Sequence, residues 1–158
     1  MKPIQLNLIP LRKAAFGMAI SCMLAACGGS DPAPTPAEKV TRLLTADNGT
    51  WTPASLSGVT VDGVDVTDEL FAGFSITFHE NTFTTTGTSP VWLREDTWHF
   101  KDANATVIVR GQDQKEITIT EISATQLKLT LEWSQTTTTS SGGRLLSLKG
   151  KHEFFLTK

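Results

Sequence analysis

The sequence predicts an all-β protein, a single antiparallel up-and-down β-barrel of about eight strands with a short N-terminal helix. Residues that favour strands are abundant, above all Thr, Val, Ile, Phe and Trp. Apolar residues alternate with polar ones in short segments that turn residues separate. About eight strands that each carry one apolar face must bury those faces together, and closing the sheet also removes its edges. A two-sheet β-sandwich of the same strands is the alternative.

The chain opens with a leader, residues 1–26, that has the order of a secretory signal. Lys2, Arg12 and Lys13 precede an apolar run that ends in small residues. The run covers residues 14–26 and is too short to span a bilayer as a helix. The leader therefore predicts export, followed by cleavage.

The leader ends in Leu24-Ala25-Ala26-Cys27, which resembles the bacterial lipoprotein motif. The resemblance implies cleavage before Cys27 and acylation of that cysteine with palmitate-type chains, so that a lipid bilayer holds the protein. Many Gram-negative lipoproteins kept in the inner membrane carry aspartate at the next position. Gly28 stands there instead, which implies the outer membrane of the cell envelope. The alternative is an ordinary secretory leader that is cut elsewhere.

Residues 27–37 form the next segment, the lipidated cysteine and a tether in which prolines alternate with small residues. This composition prevents both helix and sheet and favours an extended spacer of roughly 30 Å. Residues 38–158 remain for one domain with one core.

Composition excludes several classes of function. Without the leader, 11 of the 14 Lys and Arg residues remain against 16 Asp and Glu residues. This acidic balance argues against nucleic acid as a partner, because phosphates require a basic surface. Of the 2 cysteines, Cys22 leaves with the leader and Cys27 is expected to be acylated. The domain then has no thiol for a disulfide, a metal site or a nucleophile.

The domain begins with a short amphipathic segment. Residues 38–44 follow Pro36 and place Val40, Leu43 and Leu44 on one side of a helix of one or two turns. We expect this helix to pack on the domain as a plug or flap. Gly49-Thr50-Trp51 then opens the first strand.

A hairpin follows the first strand. Residues 59–61 and 64–66 flank Asp62-Gly63, a turn pair whose glycine accepts a positive φ. Thr67 is expected to cap a brief helical turn that runs to residue 71.

A second hairpin pairs residues 74–78 with residues 82–86 through a turn at 79–81. A longer loop, residues 87–96, comes next and contains Trp92 between two apolar residues. Glu95-Asp96 is expected to lie solvated in this loop.

Three segments resemble the calycin group, in particular the lipocalin-like domains of Bacteroidetes lipoproteins. They are Gly49-Thr50-Trp51, Phe74-Ser75-Ile76-Thr77-Phe78 and Thr97-Trp98-His99-Phe100. The resemblance covers residues 43–158 and implies a barrel that binds a small apolar molecule, with Gly49 and Trp51 as its signature. True lipocalins also carry an arginine just beyond the last strand, which packs on the first tryptophan. Only Thr157 and Lys158 lie there in this chain.

The remaining strands are predicted from alternation. The clearest case is Leu127, Leu129, Leu131 and Trp133, which alternate with polar residues and therefore share one face. Residues 134–143 have no apolar side chain and are expected to form a mobile loop or an overlong hairpin tip. The other predicted strands are 97–100, 105–110, 117–119 and 146–157, and in the last of these Gly150 suits a sharp bend or a close approach of backbones.

No catalytic or cofactor motif occurs, so we predict a protein that is not an enzyme and binds no cofactor. His79, His99 and His152 invite a metal site, but their spacing is irregular and His99 should face outward. We therefore predict no metal site. His152 is expected to face the interior as a hydrogen-bonded barrel residue.

The resemblance implies non-enzymatic binding of a small apolar ligand in a cavity lined by Phe78, Trp98, Leu129 and His152. The interior of an eight-stranded barrel is just wide enough to hold one small ligand or to be filled by side chains. A filled barrel is the alternative, a structural or protein-interaction module that acts on another envelope protein or a protease. Trp92 is the candidate contact for such a partner, unless its loop folds over the end of the barrel.

Overall fold

In the computed structural model of the protein, residues 32–135 and 148–158 are described in full, with the backbone of 138–141 and 144–147. The leader, Cys27, the tether up to residue 31, and residues 136–137 and 142–143 lie outside the described residues. The helices are α1 (Pro36–Thr45), a 3-10 helix (Asp47–Gly49) and α2 (Thr67–Leu70). The strands are β1 (Thr50–Pro53), β2 (Val59–Val61), β3 (Val64–Asp65), β4 (Ser75–Phe78), β5 (Thr82–Thr86), β6 (Glu95–Phe100), β7 (Val107–Arg110), β8 (Glu116–Ile122), β9 (Gln126–Trp133), β10 (Thr138–Ser141), β11 (Arg144–Ser147) and β12 (Gly150–Thr157).

Eight of these strands close into an antiparallel up-and-down barrel. Around the barrel they follow in the order β1, β4, β5, β6, β7, β8, β9 and β12, and β12 pairs back with β1. The closure confirms the predicted barrel over the sandwich. Within the described part of the chain, no helix has the length and apolarity needed to cross a bilayer.

Strand β12 has three partners. One edge pairs with β9 over its whole length, from Gly150 to Thr157. The other edge pairs with β2 through Phe154 and His152, and with β1 through Leu156 and Thr157. β1 and β2 are therefore two halves of one barrel strand, and residues 54–58 interrupt it. β3 pairs with the outer edge of β2, as the Asp62-Gly63 turn predicts.

The core lies inside the barrel and follows the predicted alternation. Leu127, Leu129 and Leu131 of β9 are each 1% exposed or less, whereas Gln126 is exposed. Trp133, at the end of the same face, is half-buried beneath the Lys115 ammonium.

The helix α1 closes one end of the barrel, which we call the helix end. Thr35 and Glu38 form a capping box, in which each side chain accepts a hydrogen bond from the backbone N–H of the other residue. Leu44 is fully buried and Val40 packs against the core, so the predicted plug is correct and runs to ten residues.

The opposite end, which we call the loop end, is formed by α2, the loop 87–94, the turn 111–115 and the segment before β12. α2 begins at Thr67, but Thr67 is not its cap. Its hydroxyl instead contacts the Val59 backbone and the Asp65 carboxylate. The prediction of a Thr67 cap was wrong because a neighbouring strand and a carboxylate compete for the same hydroxyl.

The last barrel strand begins later than the sequence predicts. β12 begins at Gly150 rather than at residue 146, and residues 144–147 belong to a separate hairpin with β10. Gly150 has φ +141, and a Cβ there would overlap the Asp62 carboxylate. The Asp62 side chain, rather than a neighbouring backbone, makes this close approach.

Asp96 lies in β6 and is 7% exposed, so the expected solvated position in a loop was wrong. Its carboxylate accepts hydrogen bonds from the backbone N–H of Thr97 at 2.7 Å and of Gln112 at 3.1 Å. These donors replace water and allow an acidic side chain to face inward.

Candidate ligand-binding cleft

A cleft of about 1090 Å³ opens at the helix end between α1, the β4–β5 turn and the end of β6. This volume lies just above the range of about 300–1,000 Å³ that is typical of pockets for small molecules. It is lined by Ala37, Glu38, Thr41, Arg42, Thr45, Asn48, Phe78, His79, Glu80, Asn81, Trp98, His99 and Phe100.

Three aromatic side chains form the inner wall of this cleft. The rings of Phe78 and Trp98 meet edge to face at 6.0 Å between centroids, and those of Trp98 and Phe100 at 5.1 Å. Phe78 and Trp98 expose little surface, whereas Phe100 is half-buried. The Trp98 indole N–H donates to the carbonyls of His79 and Thr82, so its ring is fixed by the turn beside it.

Charged and polar side chains form the rim. α1 contributes Glu38 and Arg42, and the β4–β5 turn contributes His79 and Glu80. All four are exposed. Hydrogen bonds from Thr35 lower the pKa of Glu38, so this carboxylate is charged at neutral pH. An aromatic wall beneath a rim of both charges suits a ligand with an apolar body and a polar end.

The 3-10 helix meets the barrel at Gly49, which has φ +67. A Cβ at this position would collide with the carbonyl of Phe78, a residue of the cleft wall. Gly49 is therefore required here for two reasons, its backbone conformation and the close approach. Trp51 follows at the start of the barrel and is fully buried.

Lys158 holds α1 and the barrel together. Its Nζ lies 4.5 Å from the centroid of the Trp51 ring and donates to the carbonyls of Leu43 at 3.2 Å and Ala46 at 2.5 Å. Trp51 in turn donates its indole N–H to the Leu44 carbonyl. A cation here also suits the negative end of the helix dipole. A lysine thus occupies the place where the resemblance implies an arginine.

The loop end is closed by side chains. Trp92 is 5% exposed and packs against Phe74, Phe83 and Phe154, with ring centroids 5.4 to 6.4 Å apart. Its loop therefore folds over the barrel end. Phe71 adds contacts to Phe154 at 5.3 Å and to Phe74 at 5.6 Å.

A buried arginine supports this closure. Arg110 has no exposed surface, donates to the Val91 carbonyl at 2.7 Å and lies 5.6 Å over the Trp92 ring. Two of its nitrogens donate to the Asp113 carboxylate. Burial alone would raise the pKa of Asp113, but the hydrogen bonds from Arg110 and from the Lys115 backbone lower it.

The four residues of the predicted cavity do not share one site. Phe78 and Trp98 meet at the cleft, whereas Leu129 lies in the middle of the barrel, where it is paired with Ile119 and Phe154. His152 is fully buried at the loop end, between Phe71 and Phe154. Among the residues described with their side chains, no group of three or more His, Cys, Asp and Glu is arranged to hold a metal ion.

Sequence reasoning missed Arg110 and the role of Lys158. Alternation along the strand places Arg110 on the same face as the buried Ile108, and Asp113 follows three residues later. These two features could have predicted a buried arginine that is paired with an acid. Lys158 carried no local signal, because its partners are more than 100 positions away.

Comparison with protein-family models, with curated proteins and with solved structures finds no match for this chain.

Proposed function

We propose that the protein is a lipid-anchored, non-enzymatic binding module of the cell envelope, which takes a small apolar ligand with a polar end. The cleft at the helix end carries this proposal, because it combines an aromatic wall of Phe78, Trp98 and Phe100 with a charged rim. The aromatic packing at the loop end favours the cleft over the barrel interior as the place of binding.

The anchor in this proposal is acylated Cys27, in the outer membrane. The motif that ends at Cys27 and the glycine that follows support it. One acyl chain binds a bilayer only marginally, so a stable anchor requires two or more. Cys27→Ala should release the protein from the membrane fraction. Sedimentation of this variant with membranes after high-salt washing would contradict the anchor.

The test of binding uses the Cys27→Ala protein, titrated with fatty acids, sterols and small aromatic compounds. Calorimetry measures binding directly, and tryptophan emission locates it. A saturable emission change that Trp98→Phe removes and Trp133→Phe keeps would support binding at the cleft. Trp133 is the matched control because it lies at the far end of the barrel.

A cleft-filling variant separates loss of binding from loss of signal. Thr41 lines the cleft on α1, whereas Lys39 is exposed on the same helix and is not part of the lining. Thr41→Trp should abolish the calorimetric signal and Lys39→Trp should retain it. Equal binding by both variants, or binding of none of these compounds by the parent protein, would rule out the proposed site.

A second function, a protein-interaction module, is favoured by one surface feature. Leu56 is 86% exposed beside a hollow of about 380 Å³ that Phe155 also lines, and Val64 is 57% exposed. A photo-crosslinking residue at position 56 tests it in intact cells, with position 39 on α1 as control. A defined crosslinked envelope protein at position 56 alone would support this function, and identical patterns at both positions would not.

A further inference from the structure

We propose that His152 is a pH-sensitive latch of the loop end, which is closed while the imidazole is neutral and opens when Nδ1 takes up a proton. This latch lies at the end of the barrel opposite the cleft, and it does not depend on the proposed ligand.

The position of His152 makes its charge state matter. The residue is fully buried on β12, paired with Leu131 of β9 on one side and Val61 of β2 on the other. Its ring stacks on Phe154 with centroids 6.3 Å apart, and the edge contact with Phe71 is 6.2 Å. The ring is thus enclosed by apolar neighbours.

The hydrogen bonds of His152 define its neutral form. Nε2 lies 2.7 Å from the Leu148 carbonyl oxygen, which only accepts, so Nε2 carries the proton. Nδ1 is then an unprotonated acceptor. It is buried and has no hydrogen-bond partner among the described residues.

Protonation would place a second N–H, and a charge, where the protein supplies no acceptor. Burial lowers the pKa of His152, and the Leu148 carbonyl, Asp62 and Glu132 oppose this only in part. Of the other charged groups at the loop end, the buried Arg110 lies beside Trp92 and is paired with Asp113. Lys151 and Glu153 pair with each other on the outer face of β12, and Lys149, Asp68 and Glu69 are exposed. The cation therefore requires water, which requires the loop end to open.

The cover of His152 consists of the short helix α2 and Phe71, whose ring contacts the imidazole. α2 has four residues and no side-chain cap at its N-terminus. Phe71 follows α2 directly, and its N–H donates to the Thr67 carbonyl at 3.0 Å. Displacement of α2 and Phe71 exposes the imidazole while the barrel strands stay paired.

The sign of the pH dependence follows from linkage. The closed state has the lowered pKa, and an exposed histidine titrates near 6.5, so the open state binds more protons below that pH. Opening is favoured as the pH falls through this range. If the closed state stays unprotonated, the opening constant rises by up to about 25-fold between pH 7 and pH 5.

The experiment measures hydrogen exchange at the Leu70 and Phe71 amides of the full chain at pH 5 to 7, corrected for intrinsic rates, together with the NMR titration of His152. We expect opening at α2 to increase toward pH 5, with His152 titrating below 6.5. His152→Gln keeps a donor for the Leu148 carbonyl and cannot titrate, so it should remove the pH dependence. His99→Gln, at an exposed position, should keep it.

Two results would overturn the latch. One is an unchanged pH dependence in His152→Gln. The other concerns the parent protein and does not depend on how the variant folds. It is hydrogen exchange at α2 that does not change with pH, or that changes with a pH midpoint different from the one at which His152 titrates.

Discussion

The two ends of the barrel are closed by different kinds of interaction. At the helix end, the capping box of Thr35 and Glu38 and the bonds from Lys158 and Trp51 fix α1 largely through its backbone. At the loop end, aromatic rings and a buried guanidinium fill the space itself. Hydrogen bonds fix a helix at a few points and leave a cleft beside it, whereas rings in contact exclude the space between them. We therefore expect side chains at the loop end to contribute more to the free energy of unfolding than those at the helix end.

The largest expected effect is at the loop end. Trp92→Ala removes a ring that contacts three phenylalanines and faces Arg110, and truncation of a buried aromatic side chain costs about 3–5 kcal/mol. Urea unfolding of the variant measures the loss. A loss under about 1 kcal/mol would mean that the loop merely covers the barrel and would remove the contrast between the two ends.

The next effect tests the buried charge. Asp113→Ala leaves the Arg110 guanidinium without its carboxylate, which we expect to cost about 2–4 kcal/mol, because Asp113 is itself partly exposed. Adding Arg110→Met should restore most of that stability, since no charge then remains buried without a partner. A double variant no more stable than Asp113→Ala would argue against this account.

The stabilisation by the pair of Arg110 and Asp113 should depend on pH only in the acidic range. The pKa of Asp113 is lowered in the folded state, so its contribution is present above the unfolded value of about 3.9 and is lost as the pH falls through the lower folded value. The difference in stability between the parent protein and Asp113→Ala should therefore shrink only below about pH 4.

A smaller effect is expected at the helix end. Lys158→Ala removes the cation over Trp51 and the hydrogen bonds to Leu43 of α1 and to Ala46, which follows it, and should cost about 1–2 kcal/mol. Lys158→Arg should lose little, because a guanidinium supplies the same charge and donors. If Lys158→Ala loses as much stability as Trp92→Ala, the loop end does not contribute more to stability than the helix end.

The smallest effect concerns the start of α1. Thr35→Ala removes one side of the capping box at an exposed position and should cost about 0.5–1 kcal/mol. Faster hydrogen exchange in the first turn of α1, with no change in the barrel strands, is the expected observation. Faster exchange throughout the barrel would instead show that α1 is a cooperative part of the core.

Features set by local pattern could be predicted from the sequence. The alternation along β9 and the turn at Asp62-Gly63 follow from neighbours in the chain, and the structure confirms both. Asp96 was misplaced because its hydrogen-bond donors include Gln112, on another element. The cleft could not be derived either, because it exists only where α1 lies beside the end of β6.

The pairing of β12 has a consequence for how the chain folds during synthesis. β12 is the last barrel strand in chain order, yet β9, β1 and β2 each need it as a pairing partner. Thr52 and Thr157, which pair in this way, lie 105 positions apart in the chain. A polypeptide that emerges from its N-terminus holds these edges bare until β12 arrives. Such distant pairing slows folding, and bare edges can join those of other chains. The interval before β12 arrives is therefore when the nascent chain is most exposed to aggregation.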